Sequence, residues 1–136
     1  MERKRIAVVE DNEDNRLLLH AFLDEQYDLQ DYETGPEALR GMDAIVPGVV
    51  LLDISLPGMD GVEVLRRLRQ NEKLRHLYVI ALTAHAMAGD RERLLAAGFD
   101  DYLAKPIMDE SLLFAGIEHG FNTVHAAGSV CSRQVA

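Results

Sequence analysis

Two hydrophobic periods alternate along the chain. Ile6-Ala7-Val8-Val9 is a short apolar run with β-branched residues, and it stops at Glu10-Asp11. From Asn15 to Asp24 the spacing becomes helical, with Leu18 and Phe22 on one stripe and Leu19 and Leu23 beside it. Tyr27 to Tyr32 alternates weakly, as an edge strand would. Thr34-Gly35-Pro36-Glu37 has capping-box spacing, with Pro where a missing N–H is tolerated, and opens a helix to about Met42. Gly48 to Asp53 is a continuous apolar run that ends in an acid, the pattern of a strand buried on both faces. Asp60 then caps a helix whose core face is read as Val62, Leu65 and Leu68, with Arg66, Arg67 and Arg69 turned to solvent.

The second half repeats the alternation. Leu77 to Leu82 predicts a strand ending at Thr83, and Met87 to Ala97 a helix stopped by Gly98. Tyr102-Leu103-Ala104 predicts a short strand ending at Lys105-Pro106, and Asp109 to about His119 a last helix with Leu113 and Ile117 inward. Five strands alternating with five helices predict an α/β sandwich with a mostly parallel sheet and right-handed crossovers. The stretch from about Gly120 lacks periodicity and is expected to fray. The predicted organisation is one domain over residues 1–120 and a flexible tail over 121–136.

Composition narrows the classes. A chain of 136 residues with 48% hydrophobic and 27% charged positions suits one soluble domain. The net charge of -9 argues against general binding to nucleic acid or anionic membranes, and it leaves room for divalent cations. The single cysteine, Cys131, excludes a disulfide within the chain and suits a reducing compartment. No apolar run resembles a signal peptide or approaches the roughly 20 residues that span a bilayer. A soluble, cytoplasmic protein is expected.

Candidate chemistry gathers where the strands end. A carboxylate is an expensive residue at the end of a buried strand. Taken alone, Asp53 reads most simply as a capping acid, and Glu10-Asp11 as a helix-start acid pair. In a parallel sheet, however, Glu10, Asp11, Asp53, Thr83 and Lys105 all emerge on one edge, where ligands bind in open α/β folds. Three carboxylates brought together repel one another, and a hard divalent cation relieves that repulsion. Lys105 can pair with a carboxylate in the empty site and with a phosphoryl oxygen in the filled one. A nucleophile, a metal and two oxygen binders are the equipment for phosphoryl transfer to a carboxylate.

With these residues in place, the chain resembles the receiver domain of two-component response regulators. The resemblance is carried by Glu10-Asp11, Asp53, the Leu56-Pro57-Gly58-Met59-Asp60-Gly61 turn, Thr83-Ala84, Tyr102 and Lys105-Pro106, and covers about residues 3–120. It implies a flavodoxin-like (βα)5 sheet of order 2-1-3-4-5, which periodicity alone does not establish. It implies that Asp53 accepts a phosphoryl group from the phosphohistidine of a histidine kinase or phosphotransfer protein. Magnesium (or manganese) would be bound by Asp11, Asp53 and the Ser55 backbone carbonyl, with Glu10 acting through a metal-bound water. Thr83 and Lys105 would hold phosphoryl oxygens, and Tyr102 would be the switch that follows Thr83. The Lys105-Pro106 bond is cis in the family. Ser55 and His85 occupy the positions that tune dephosphorylation.

The resemblance further implies a readout face formed by the helix from Met87, the strand at Tyr102 and the helix from Asp109. That face would bind a downstream protein target, as a monomer or a phosphorylation-dependent homodimer. A stand-alone receiver, a self-phosphorylating switch rather than a turnover enzyme, is the reading expected. Alternatives are a shuttle within a multistep phosphorelay, an aspartyl-phosphate hydrolase and a degenerate receiver acting as a constitutive interaction module. A haloacid-dehalogenase-type hydrolase would want its nucleophile after the first strand with a second Asp two residues on, and Glu10-Asp11-Asn12 does not fit. His20, His76, His119 and His125 show no metal-ligand spacing, and no P-loop or dinucleotide fingerprint is present.

Overall fold

A computed structural model describes residues 4–84, 89–105, 107 and 109–130, the backbone alone over 124–130. The elements run β1 (Lys4–Val9), α1 (Glu13–Leu23), β2 (Tyr27–Tyr32), α2 (Gly35–Ala44), β3 (Val49–Asp53), α3 (Gly61–Gln70), β4 (Tyr78–Thr83), α4 (Asp90–Ala97), β5 (Asp101–Ala104) and α5 (Glu110–Val130). The strands form one parallel sheet in the order β2-β1-β3-β4-β5, the flavodoxin-like order. β2 lies at an edge, as its weaker alternation predicts.

Alternate residues of each central strand enter opposite layers. Ile6, Val8, Val49, Leu51, Ile80 and Leu82 pack with Leu19 and Leu23 of α1 and Leu113 and Ile117 of α5. Ala7, Val9, Val50, Leu52, Val79 and Ala81 pack with α2, α3 and α4 through Ala38, Met42, Val64, Leu65, Leu68 and Leu94. Both faces of β1, β3 and β4 are thereby covered, which is why those strands read as unbroken apolar runs. Among the described residues no helix is long and apolar enough to cross a membrane.

Local signals account for most helix starts. The Thr34 hydroxyl accepts the Glu37 N–H at 3.3 Å, and the Asp60 carboxylate accepts that of Glu63 at 3.0 Å. α1 begins earlier than its apolar spacing suggests because Asn12 is the cap, accepting the Asn15 N–H at 3.0 Å. Glu13 and Asp14 then fill the first turn, where acids suit the helix dipole. Gly98 ends α4 in the left-handed conformation, φ 114°. Met87 and Ala88, the first residues of the helix predicted to Ala97, lie outside the described residues.

Three expectations are corrected. Val62 is 37% exposed, and Val64 joins Leu65 and Leu68 in the core instead. Val62 lies one residue, about 100°, round the helix from buried Gly61, at the edge of the inward face. Arg69 is not a solvated side chain. Its guanidinium donates to the carbonyls of Arg75, Leu77 and Gly98 and pairs with Asp100 at 3.0 Å, tying the end of α3 to the start of β4 and the end of α4. Finally, the last helix does not stop near Gly120 but continues to Val130. Gly120 permits close passage rather than a break: a Cβ there would fall 2.5 Å from the Tyr78 ring. One residue on, the Phe121 ring stacks on Tyr27 at 5.8 Å, and Lys4 lies 5.2 Å from its centroid. The packed unit thus extends past 120, while Cys131 lies outside the described residues.

An ionic strap joins α1 to the edge strand. His20 contacts Asp24 through Nδ1 at 2.9 Å and Asp31 through Nε2 at 2.7 Å. Two carboxylate acceptors on one ring are both satisfied only by the imidazolium, which donates from both nitrogens. Burial works against that charge, but the bonds and charges of Asp31 and then Asp24 outweigh it and raise the ring's pKa. A cation with a raised folded pKa contributes fully below its unfolded pKa and loses that contribution as pH rises through the folded value. The melting-temperature gap between wild type and His20→Gln is therefore expected to be larger at about pH 6 than at about pH 8.5, on either side of the free-histidine range. Melting curves at both pH values check this, and a gap that grows with pH contradicts it.

Candidate functional site

Register brings the chemistry to one edge. Val9 is level with Leu52 and Asp53 with Leu82, so Glu10, Asp53 and Thr83 leave adjacent strands at nearly the same height. Thr83 is level with Ala104, which sets Lys105 one step beyond. Glu10, Asp53 and Thr83 are each fully buried, whereas Asp11 is exposed. One carboxylate oxygen from each of Glu10, Asp11 and Asp53 lies within 4.8 Å of the other two.

Lys105 enters between the buried acids. Its ammonium lies 3.0 Å from Asp53 Oδ2 and 3.3 Å from Glu10 Oε1, with the lysine side chain only 13% exposed. The other oxygens are engaged by the backbone. Asp53 Oδ1 accepts the Ser55 N–H at 2.9 Å, and Glu10 Oε2 accepts the Asn12 N–H at 3.2 Å. The Lys105 N–H in turn donates to the Thr83 carbonyl at 2.7 Å, so the ammonium-bearing and hydroxyl-bearing residues are joined through their backbones.

The electrostatics follow from this packing. Burial, and then the neighbouring Asp53 charge, raise the Glu10 pKa above the ordinary carboxylate range, with the Asn12 N–H and Lys105 offsetting part of the rise. For Lys105, burial opposes the charge, but Asp53 and Glu10 outweigh it and hold the ammonium pKa above its usual value. Among the described residues, the Lys105 ammonium is thus bonded to two of a group of three carboxylates. Such a set of oxygen donors fits a hard divalent cation, which prefers carboxylate and carbonyl ligands and retains waters.

Three residues shape the loop after β3. Leu56 is buried and anchors it, Gly58 turns with φ 77°, and the Gly61 N–H donates to the Ile54 carbonyl at 3.2 Å. A Cβ on Gly61 would fall 2.5 Å from the Asp53 carbonyl oxygen. Only glycine lets α3 begin directly behind the strand that carries Asp53.

The structure therefore unites Glu10, Asp11, Asp53, Ser55, Thr83 and Lys105, the residues read from the sequence. Tyr102, on β5 level with Ala81, is half-buried against the layer of α2, α3 and α4. His85 and Pro106, and with Pro106 the geometry of its peptide bond, lie outside the described residues. Two contributors were not anticipated. Asn12 caps α1 and donates its N–H to Glu10. Arg16 donates Nη1 to the Glu10 carbonyl at 2.8 Å. An arginine on the first turns of an amphipathic helix carries no sequence mark that separates it from a solvated one.

Comparison with known proteins agrees with this arrangement. The family model described as the response regulator receiver domain matches residues 6–117. The response regulator PleD of Caulobacter vibrioides is 42% identical over 114 residues, which are 83% of this chain and 25% of PleD. The polar-differentiation response regulator DivK of Brucella ovis is 41% identical over 105 residues, 76% of this chain and 85% of DivK. Among solved structures, the receiver domain of the sensor histidine kinase PA1611 from Pseudomonas aeruginosa, with a magnesium ion coordinated in its active-site cleft, superposes with a TM-score of 0.80 at 35% identity. That match covers 88% of this chain and 98% of that one. The chain spans a quarter of PleD but most of DivK.

Removing Lys105 exposes the pocket's internal repulsion. Lys105→Met leaves Glu10 and Asp53 buried without their cation, at an expected cost on the order of 3 kcal/mol at neutral pH. An acid whose folded pKa is raised loses stability as pH rises through that value, and loss of the ammonium moves the Glu10 titration further up. The variant's deficit in urea midpoint should then shrink as pH falls from about 7 to about 5, toward the carboxylate range. A deficit that is absent at neutral pH, or constant across this interval, contradicts the account.

Proposed function

This chain belongs to the response regulator receiver family, and we propose that Asp53 is its phosphoacceptor. The observation that carries the proposal is the pocket itself: three carboxylates within 4.8 Å, two of them fully buried, with the Lys105 ammonium bridging those two. The phosphodonor is the phosphohistidine of a histidine kinase or phosphotransfer protein. A lone pair of the Asp53 carboxylate attacks phosphorus while the P–N bond breaks, and the imidazole leaves with that electron pair. The Ser55 N–H, donating to Oδ1, and Lys105, on Oδ2, orient the carboxylate for this attack.

Asp11, Asp53 and the Ser55 carbonyl would hold magnesium, and Glu10 would act through water; manganese, with the same ligand preference, would fit the same donors. When bound, that cation neutralises the carboxylates and the charge developing on the phosphoryl oxygens. Lys105, already pointed at Asp53, takes one phosphoryl oxygen, and the Thr83 hydroxyl takes another. Phosphorylation adds about 1.5 to 2 negative charges at the strand end. Thr83 and Lys105, linked through their backbones, respond together, and Tyr102 follows inward as the switch.

The response is a shift between two pre-existing states rather than refolding. It alters the face formed by α4, β5 and α5, and with it affinity for a downstream protein target. Coupling of about 1–3 kcal/mol would change that affinity roughly 5- to 150-fold. The chain thus acts as a switch rather than a turnover enzyme, on the cytoplasmic side where its phosphodonor works. Ser55 and His85 set the lifetime of the phosphorylated state.

Incubation with magnesium and acetyl phosphate, followed by intact-mass measurement, tests the proposal. Wild type should gain one phosphoryl group, and neither Asp53→Asn nor wild type in chelator should gain any. Equal labelling of Asp53→Asn would place the acceptor elsewhere, and turnover of many donor equivalents without a labelled protein would favour a hydrolase.

A further inference from the structure

Asp11 differs from the other two pocket acids in being exposed, so its position depends on the backbone that presents it. That backbone is held on both sides. The Glu10 N–H donates to the Tyr32 carbonyl at the end of β2, at 3.0 Å. On the other side, Arg16 Nη1 donates to the Glu10 carbonyl at 2.8 Å, and this oxygen belongs to the peptide that joins Glu10 to Asp11. Because that peptide is planar, holding its oxygen also fixes the direction in which Asp11 departs.

The guanidinium is itself anchored. The Arg16 side chain is only 14% exposed, and its Nη2 reaches Glu33, just past β2, at 3.4 Å. The Arg16 N–H donates to the carbonyl of Asn12, the α1 cap, at 3.1 Å, so the arginine and the turn it grips belong to one hydrogen-bonded unit. None of these contacts uses a carboxylate of the pocket. Arg16 therefore acts behind the acids rather than on a ligand.

We propose that Arg16 is a positioning residue for the cation pocket, fixing the Glu10–Asp11 peptide so that both carboxylates face one divalent ion. The proposal rests on the reading of Glu10, Asp11 and Asp53 as that pocket. Charge and geometry predict opposite effects here. A guanidinium near a cation site repels the cation, so if Arg16 acted only as a charge its removal would tighten binding. If it positions the acids, removal loosens binding, as loss of supporting hydrogen bonds around metal ligands commonly does by about 10- to 100-fold.

Magnesium chloride titrations of the full chain, followed by the amide shifts of Asp11 and Ser55, separate the two. Arg16→Ala should weaken magnesium binding about 10-fold. Arg16→Lys keeps the charge and a donor group but loses the planar fork that reaches two acceptors, so it should recover part of the affinity. Unchanged or tighter binding by Arg16→Ala overturns the proposal. Should Arg16→Ala fail to fold, Arg16→Lys decides: a measurable loss supports positioning, and wild-type affinity overturns it. A wild-type protein that binds no magnesium would instead contradict the reading of the pocket as a cation site.

Discussion

Two buried carboxylates side by side are unstable unless something answers their charge, and the rest of this structure is arranged around that constraint. Lys105 supplies the answer, lying between Asp53 and Glu10 at the end of the sheet. It is a partial one, because among the described residues one ammonium meets three acids and the Glu10 carboxyl remains raised above its ordinary range. A fold that keeps such an imbalance has a site with stored affinity for further positive charge.

The sheet makes this imbalance possible. Unbroken hydrophobic strands fill both layers, and their parallel register delivers three acids, a hydroxyl and an ammonium to one edge. Rigid backing then keeps the acids from separating. α3 starts against the Asp53 carbonyl with no room for a side chain at Gly61, and Arg69 locks the far end of the same helix to the start of β4 and the end of α4. On the opposite side of β1, Arg16 and His20 tie α1 to the end of β2. The pocket edge is thus held from both flanks. Thr83 and Lys105, bonded to each other through the backbone, complete the edge beyond β3.

Much of this was legible in the chain. Runs such as Val49 to Leu52 mark buried strands because both their faces are apolar, and Thr34 and Asp60 mark helix starts through capping chemistry that acts over three residues. The site was legible because parallel topology converts strand-end residues into neighbours. What stayed hidden depends on longer-range contact. Val64 rather than Val62 faces inward because the helix phase is set by Gly61 packing on β3, which a spacing of three does not reveal. Gly120 looks like a break until Tyr78 is seen lying against it. Arg16 and Arg69 each donate to backbone carbonyls, and a carbonyl acceptor leaves no mark in a sequence. The strand order itself follows from family resemblance and not from periodicity.

The central claim is that, of the two carboxylates answered by Lys105, Asp53 is the one that becomes an acyl phosphate. Borohydride reduction tests it at the level of the atom, since it converts an aspartyl phosphate to homoserine and leaves a free carboxylate untouched. Protein treated with magnesium and acetyl phosphate, reduced, digested and sequenced by mass spectrometry should carry homoserine at position 53 and aspartate at position 11. Homoserine at position 11, or intact aspartate at 53 in protein that has gained a phosphoryl group, would contradict the account.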